Sequence, residues 1–378
     1  MTLLSNHLHH LQHLRVTISG ILQVLQELDR RGSMSQLQNV LDTHRKVVED
    51  GFTRNSDLRY RKYAVTTLRG GVGKSTLSFN MAFELALEHK LLAADLCAQG
   101  NLTETLLDET RPDVDVISAL RPRLLGPAFG EAPKDIAFRI AQYCGSFKRA
   151  KEAYAIPGSA EMFAFPSQLY QQLQLAHSQQ NSTAVASLLN SLKTIVSEQA
   201  DLYQTEVTLM DTSPFYSGGT HLAWCASEAL IIPVRVDEHS IDSLELTLDM
   251  LTNPAKDFQM WNERAGGQST PRVAAIVMTM VGAKSRIQST PDRASQMFIS
   301  RAIDIANKYS EVFDGDDPSD SIVITDDFMS SGRISGAQSI PISELKVGKF
   351  HTVEGRRLQV NASASRYQRE LRYLTSML

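Results

Sequence analysis

Cysteine is scarce in this chain of 378 residues: Cys97, Cys144 and Cys225 make three, an odd number with no C-x-x-C spacing. That argues against a disulfide framework or a cysteine zinc site and suits a reducing cytoplasm. Long apolar runs are missing as well. No stretch approaches the roughly eighteen uncharged apolar residues that a membrane-spanning helix needs. The N-terminus shows no basic segment followed by an apolar one, so no signal peptide is expected. Neither charge sign is in large excess: the net charge is −4, so any nucleic-acid surface has to be local. No internal repeat or low-complexity tract breaks the chain. What is present, 42% hydrophobic and 21% charged residues, is ordinary globular composition. The length allows one large α/β domain with an appendage, or two domains.

Residues 1–31 read as one helix. Leu11, Leu14, Ile18, Ile21, Leu25 and Leu28 alternate spacings of three and four, a heptad seam. This seam either dimerises the chain or packs on the rest of it, and dimerisation is slightly preferred. His7, His9, His10 and His13 lie on the same helix. Without acidic or thiol ligands nearby, they read as polar helix positions and not as a metal site. Arg30, Arg31 and Gly32 read as a stop, followed by a shorter helix over 34–49 that Gly51 ends. The polar stretch 53–62, with Arg54, Arg59, Arg61 and Lys62, reads as a linker.

From Tyr63 the pattern changes to strands alternating with helices. Short apolar strands are expected at 63–67, 91–94, 207–210, 229–234, 273–280 and 322–325, with a helix over 76–88 and a long, mostly helical and irregular region over 102–200. Repeated β–α alternation with apolar strands predicts an α/β fold, a mostly parallel sheet covered by helices on both faces. The expected division is a helical extension and linker over 1–62 and one α/β domain over 63–378.

Between the first strand and its helix stands LRGGVGKST, residues 68–76. Strand, glycine loop and helix together are the setting in which a G-K-[ST] match carries meaning. Gly70, Gly71 and Gly73 let the backbone, with Val72, turn tightly and aim N–H groups at phosphate oxygens. The helix start, with Thr76, adds its dipole. Lys74 can reach the β- and γ-phosphates of ATP, and the Ser75 hydroxyl can ligate Mg²⁺. Aspartates end two of the strands, Asp95 and Asp211. Asp211 is chosen to orient magnesium-bound waters, and Asp95 is placed beside the attacking side.

The loop resembles the deviant Walker A motif K-G-G-x-x-K-[ST] of the ParA/MinD family of P-loop ATPases, with Arg69 at its signature lysine. LLAADLCAQGNLT (91–103) resembles the family's D-x-D-P-Q-G-N motif, with Cys97 and Ala98 in place of the second aspartate and the proline. VTLMDTSP (207–214), CASEALIIPV (225–234) and VAAIVMTMVGAKSR (273–286) resemble later family strands, the last making Thr279 a candidate base contact. The similarity covers most of 63–340. It implies an ATP-dependent homodimer in which Arg69 reaches across to the partner's phosphates, nonspecific DNA binding, and a ParB-like partner or other cargo adaptor that stimulates slow hydrolysis. The implied task is DNA partition or cargo positioning on the nucleoid. In the family the second aspartate of D-x-D helps orient the attacking water, a task to which a neutral Cys97 thiol is poorly suited. A weakly hydrolysing, nucleotide-gated scaffold is therefore the main rival reading, and a MinD-like membrane-cycling ATPase is a third.

The stretch 331–378 carries eight Lys/Arg against three Glu. Lys346, Lys349, Arg356, Arg357, Arg366, Arg369 and Arg372 are the candidate contacts for DNA phosphates, which would be salt-sensitive and blind to sequence. Tyr367, Leu371, Leu374 and Leu378 share one helical face. That face is expected to dock on the domain's own core in preference to a membrane.

Overall fold

The computed structural model describes residues 32–55, 57–108, 112–282 and 290–378. The heptad seam and the four histidines of the first helix lie outside these residues. Eight strands form one sheet: β1 (Lys62–Val65), β2 (Leu91–Asp95), β3 (Phe138–Arg139), β4 (Ala153–Ile156), β5 (Val207–Asp211), β6 (Ala229–Arg235), β7 (Arg272–Val281) and β8 (Ile322–Asp326). Their order is β3-β4-β2-β5-β1-β6-β7-β8, and every pairing is parallel except β3 with β4. The chain leaves β1 for β2 on one side, then crosses back through β5 to β6 on the other. The carboxyl end of β1 is therefore a switch point, where α/β sheets open a crevice for ligands.

The strands are apolar on both faces because helices cover both. Period-two alternation sends Ala64, Leu92, Met210 and Ile232 into one core, and Tyr63, Leu91, Leu209 and Ile231 into the other. Pro233 is tolerated in β6 because β1 pairs with that strand only over Ala229–Ile231. Its missing N–H lies past the end of β1.

The region 102–200 is not only helical. It supplies β3 and β4, two short strands whose AYAI and FR sequences carry little β-branched signal. A second small sheet, the antiparallel pair β9 (Phe350–Val353) and β10 (Arg356–Gln359), was also not foreseen. Its turn is tight, with Glu354 at φ +49° and Gly355 at φ +74°. Both central residues at positive φ match the two-residue hairpin turn whose twist suits flanking strands.

Gly32 is helical and not a stop; the helix runs over 32–49. It lies against the α/β domain, burying Val40 and Val47. Ser33 Oγ donates to Asp304 Oδ1 (2.8 Å) and Gln36 Nε2 to Asp317 Oδ1 (2.8 Å). The stretch after it is strapped down. Arg54 pairs with Glu88 (3.2 Å) and Arg59 with Asp314 (3.0 Å).

Candidate nucleotide site

Strand β1 delivers the backbone to the glycine loop, and Thr66 N still donates to Ile231 O (2.9 Å) before the chain turns away. Gly71 at φ +75° and Gly73 at φ +81° make the turn. An L side chain held in that left-handed region costs roughly 1–2 kcal/mol. Gly73 immediately precedes the helix Lys74–Glu88, and no side chain caps that helix start. Its first N–H groups and its dipole are thus directed at whatever anion enters the loop.

Asp211, at the end of β5 and fully buried, joins the parts. Its Oδ1 accepts from Lys74 Nζ (2.9 Å) and Ser78 Oγ (2.7 Å), and its Oδ2 accepts from Ser75 Oγ (3.0 Å). Lys74, Ser75 and Ser78 lie on the first turns of one helix, so a single strand end meets a single helix start. A cation and two hydroxyls together satisfy a carboxylate that would otherwise be costly to bury. Ser78 escaped the sequence reading, although its i+4 spacing from Lys74 was an available signal. Among the described residues no group of three His, Cys, Asp or Glu side chains could hold a metal. The Ser75 hydroxyl and the Asp211 carboxylate are hard oxygen donors that fit Mg²⁺ in partnership with phosphate oxygens.

Asp95 sits opposite Asp211 in register. Burial, then the Asp211 charge, push its carboxyl up to about 6, against hydrogen bonds that pull it down. Both of its oxygens serve the turn that follows β2. Oδ1 accepts from Cys97 N (3.0 Å), and Oδ2 accepts from Thr103 N (2.8 Å) and Thr103 Oγ1 (2.9 Å). Thr103 Oγ1 accepts in turn from Gly158 N (2.8 Å). A Cβ on Gly158 would stand 3.0 Å from Asp95 Cγ and 3.1 Å from its carbonyl oxygen, so a larger residue would have to push Asp95 aside by a few tenths of an ångström. Cys97 is buried, and burial pushes its thiol up, which keeps it neutral.

Beside the loop opens a cleft of about 660 Å³, within the ~300–1,000 Å³ of small-molecule sites. Val72, Gly73 and Thr76 form one wall; the ends of β7 and β8 and the helix Met329–Gln338 form the others. Thr279 lines it, but its hydroxyl donates to Val72 O (3.1 Å), so it braces the loop. Asp326, Asp327 and Phe328 belong to this wall and carried no sequence motif. Arg69 is exposed and makes no ion pair among the described residues.

The seven basic candidates separate into two groups. Arg366 pairs with Asp326, Arg369 donates to Val48 O, and Arg372 stands 3.8 Å from Glu84. These three have intramolecular partners, although Arg369 and Arg372 are themselves exposed. Lys346, Lys349, Arg356 and Arg357 are exposed, on the hairpin β9–β10 and the segment leading to it. Tyr367, Leu371, Leu374 and Leu378 are all buried, so the apolar face of the C-terminal helix Ala364–Ser376 is covered by the chain's own core. Among the described residues no helix is long and apolar enough to cross a membrane.

The family described as "AAA domain" matches residues 60–260. Among solved structures, a McdA variant in complex with ATP and apo McdA, both from Cyanothece, are each 17% identical to this chain. Their TM-scores are 0.54 and 0.52. The alignments cover 76% and 75% of this chain and 91% and 92% of theirs. No curated protein matches.

Proposed function

Because the chain belongs to the AAA-domain family and its loop is of the ParA/MinD type, we propose that it is an ATP-driven switch. It binds ATP with Mg²⁺ at 68–76 and pairs with a second copy across that loop. The pair binds DNA without reading its sequence and is reset by hydrolysis, stimulated by a ParB-like partner or another cargo adaptor. The task this serves is DNA partition or cargo positioning, in the cytoplasm and on the nucleoid.

The observation that carries the reading is the convergence of Lys74, Ser75 and Ser78 on Asp211. Lys74 is positioned to donate to β- and γ-phosphate oxygens, and the loop N–H groups to cradle them. Ser75 is the hydroxyl ligand for Mg²⁺, and Asp211 orients its waters. The bound ion neutralises charge on the β- and γ-phosphates. Arg69, exposed at the loop, supplies a guanidinium suited to a partner's phosphates. The McdA complex with ATP supports the same ligand here.

A second reading, a nucleotide-gated scaffold that barely hydrolyses ATP, is favoured by one feature. Asp95 is engaged by Cys97 N and Thr103, and Cys97 is neutral, so neither residue of the D-x-D-like pair is free to orient a water. The membrane-cycling reading is set aside, because the apolar face it needs is covered. ATP turnover and sedimentation of the full chain, with and without duplex DNA, decide between the first two. ATP-dependent dimers with DNA-stimulated turnover support the switch; dimers without measurable turnover support the scaffold. Absence of ATP binding sinks both.

A further inference from the structure

The hairpin β9–β10 is a separate two-stranded ribbon with two unlike faces. Cross-strand partners share a face, so Phe350, Thr352, Arg357 and Gln359 lie together, and all four are exposed. The other face carries His351, Val353 and Leu358, which are half-buried, and Arg356, which is exposed. The Arg357 guanidinium stands 4.0 Å over the Phe350 ring. An exposed Phe whose ring holds a guanidinium in place gives a cation with little freedom left to lose on binding. Arg356 lies at the turn, and Lys346 and Lys349 lead into β9. These four cations face one carboxylate, Glu354, and none of them is ion-paired among the described residues. Arg366, Arg369 and Arg372 all have intramolecular partners, which sets the hairpin apart from the helix behind it.

The ribbon is also tied to the nucleotide cleft. Leu358 lines the cleft from the hairpin side. The helix Met329–Gln338, which forms a wall of that cleft, holds the hairpin at both ends. Ser330 Oγ donates to Gln359 O (2.8 Å), and Gln338 Nε2 donates to Thr352 O (2.9 Å). A ligand that shifts this helix must shift the ribbon with it.

We propose that the hairpin Phe350–Gln359, with Lys346 and Lys349, is the arm that grips the phosphate backbone of duplex DNA. Its seating on the cleft-wall helix makes that grip depend on the bound nucleotide. A two-stranded ribbon fits the width of the major groove, and its exposed cations suit contact with the phosphates along the groove edge. The inference rests on the functional reading above and narrows its DNA surface from seven residues to four.

The test is duplex binding by the full chain with Mg²⁺ and ATP, or with ADP, across a salt series, using random-sequence DNA. The parent is compared with a hairpin variant, Lys349→Glu, Arg356→Glu and Arg357→Glu combined, and with a swap variant, Arg356→Lys and Arg357→Lys. The hairpin variant is expected to lose about tenfold or more in DNA affinity. The slope of log affinity against log salt should flatten by about 0.9 for each phosphate contact removed. Its ATP affinity and melting temperature should match the parent's, and the swap variant should recover most of the DNA binding. A hairpin variant that stays folded and binds DNA as the parent does overturns the arm while leaving the functional reading standing. So does equal parental binding with ATP and ADP, as far as nucleotide dependence is concerned. If the parent binds no duplex but the hairpin captures an acidic polypeptide instead, both readings fail together.

Discussion

Lys74 Nζ lies 2.9 Å from Asp211 Oδ1, joining the first residue of the loop helix to the last residue of β5. The lysine is 7% exposed and the aspartate 0%. In so dry a setting the pair is a structural clamp, and on the proposed function it is the phosphate-binding device as well. Lys74→Ala should abolish ATP binding by titration calorimetry, because the β/γ-phosphates lose their charged contact. It should also lower the melting temperature. Breaking one side of a buried pair costs about 3–5 kcal/mol, reduced here because Ser75 and Ser78 still hydrogen-bond Asp211. A variant that binds ATP normally refutes the site.

Cys97→Asp should raise ATP turnover. The new carboxylate enters beside the loop, where one positioned acid or base is typically worth about tenfold to a thousandfold. The same change should cost stability, since a third acid joins the buried Asp95 and Asp211. Single-turnover hydrolysis and thermal melts read the two effects separately. Unchanged turnover in a folded variant means that water positioning is supplied elsewhere.

Arg69→Ala should leave ATP affinity of the single chain close to the parent's, while ATP-dependent dimerisation and turnover fall. Its guanidinium is exposed and has no partner ion within its own chain among the described residues. Arg69→Lys should preserve most of both. Sedimentation velocity with and without ATP measures this, and a normally dimerising Arg69→Ala removes the cross-interface role.

Glu370 should make stability depend on pH. It is fully buried on the C-terminal helix, and burial pushes its carboxyl up to about 8, with Arg366 pulling the other way. His44 Nε2 lies 3.7 Å away and Arg366 Nε 3.8 Å away, while Asp326 N donates to it (3.0 Å). The folded state holds the proton more tightly than the unfolded chain does. Its stabilising effect is therefore complete below the ordinary carboxylate range and is lost as pH rises towards about 8. Glu370→Gln keeps an acceptor for Asp326 N without the ionisation. Its stability relative to the parent's, followed by thermal melts, should climb between about pH 5 and pH 8, by an amount on the order of 3 kcal/mol. A difference that is flat with pH would show that Glu370 does not ionise in this range.

The sheet and the loop were legible because their causes are local. Apolar runs such as ALIIPV bound to make buried strands, a glycine pair free to enter positive φ, and a lysine and serine at a helix start are each written within a dozen residues. The two short strands β3 and β4 left little trace, since the two residues FR and the four residues AYAI hold no period long enough to recognise. The Glu-Gly turn of the hairpin was faint for the same reason. What only the tertiary structure decided is partnership. Asp95 meets Thr103 and, through it, Gly158; Ser78 meets Asp211 across 133 positions; Arg369 reaches Val48 across 321. A basic residue looks the same in sequence whether it is held inside the chain or left for DNA. Its partner is set by where the strands and helices are packed, so the division of the seven cations into three with intramolecular partners and four without an ion pair among the described residues could be read only once the chain had folded.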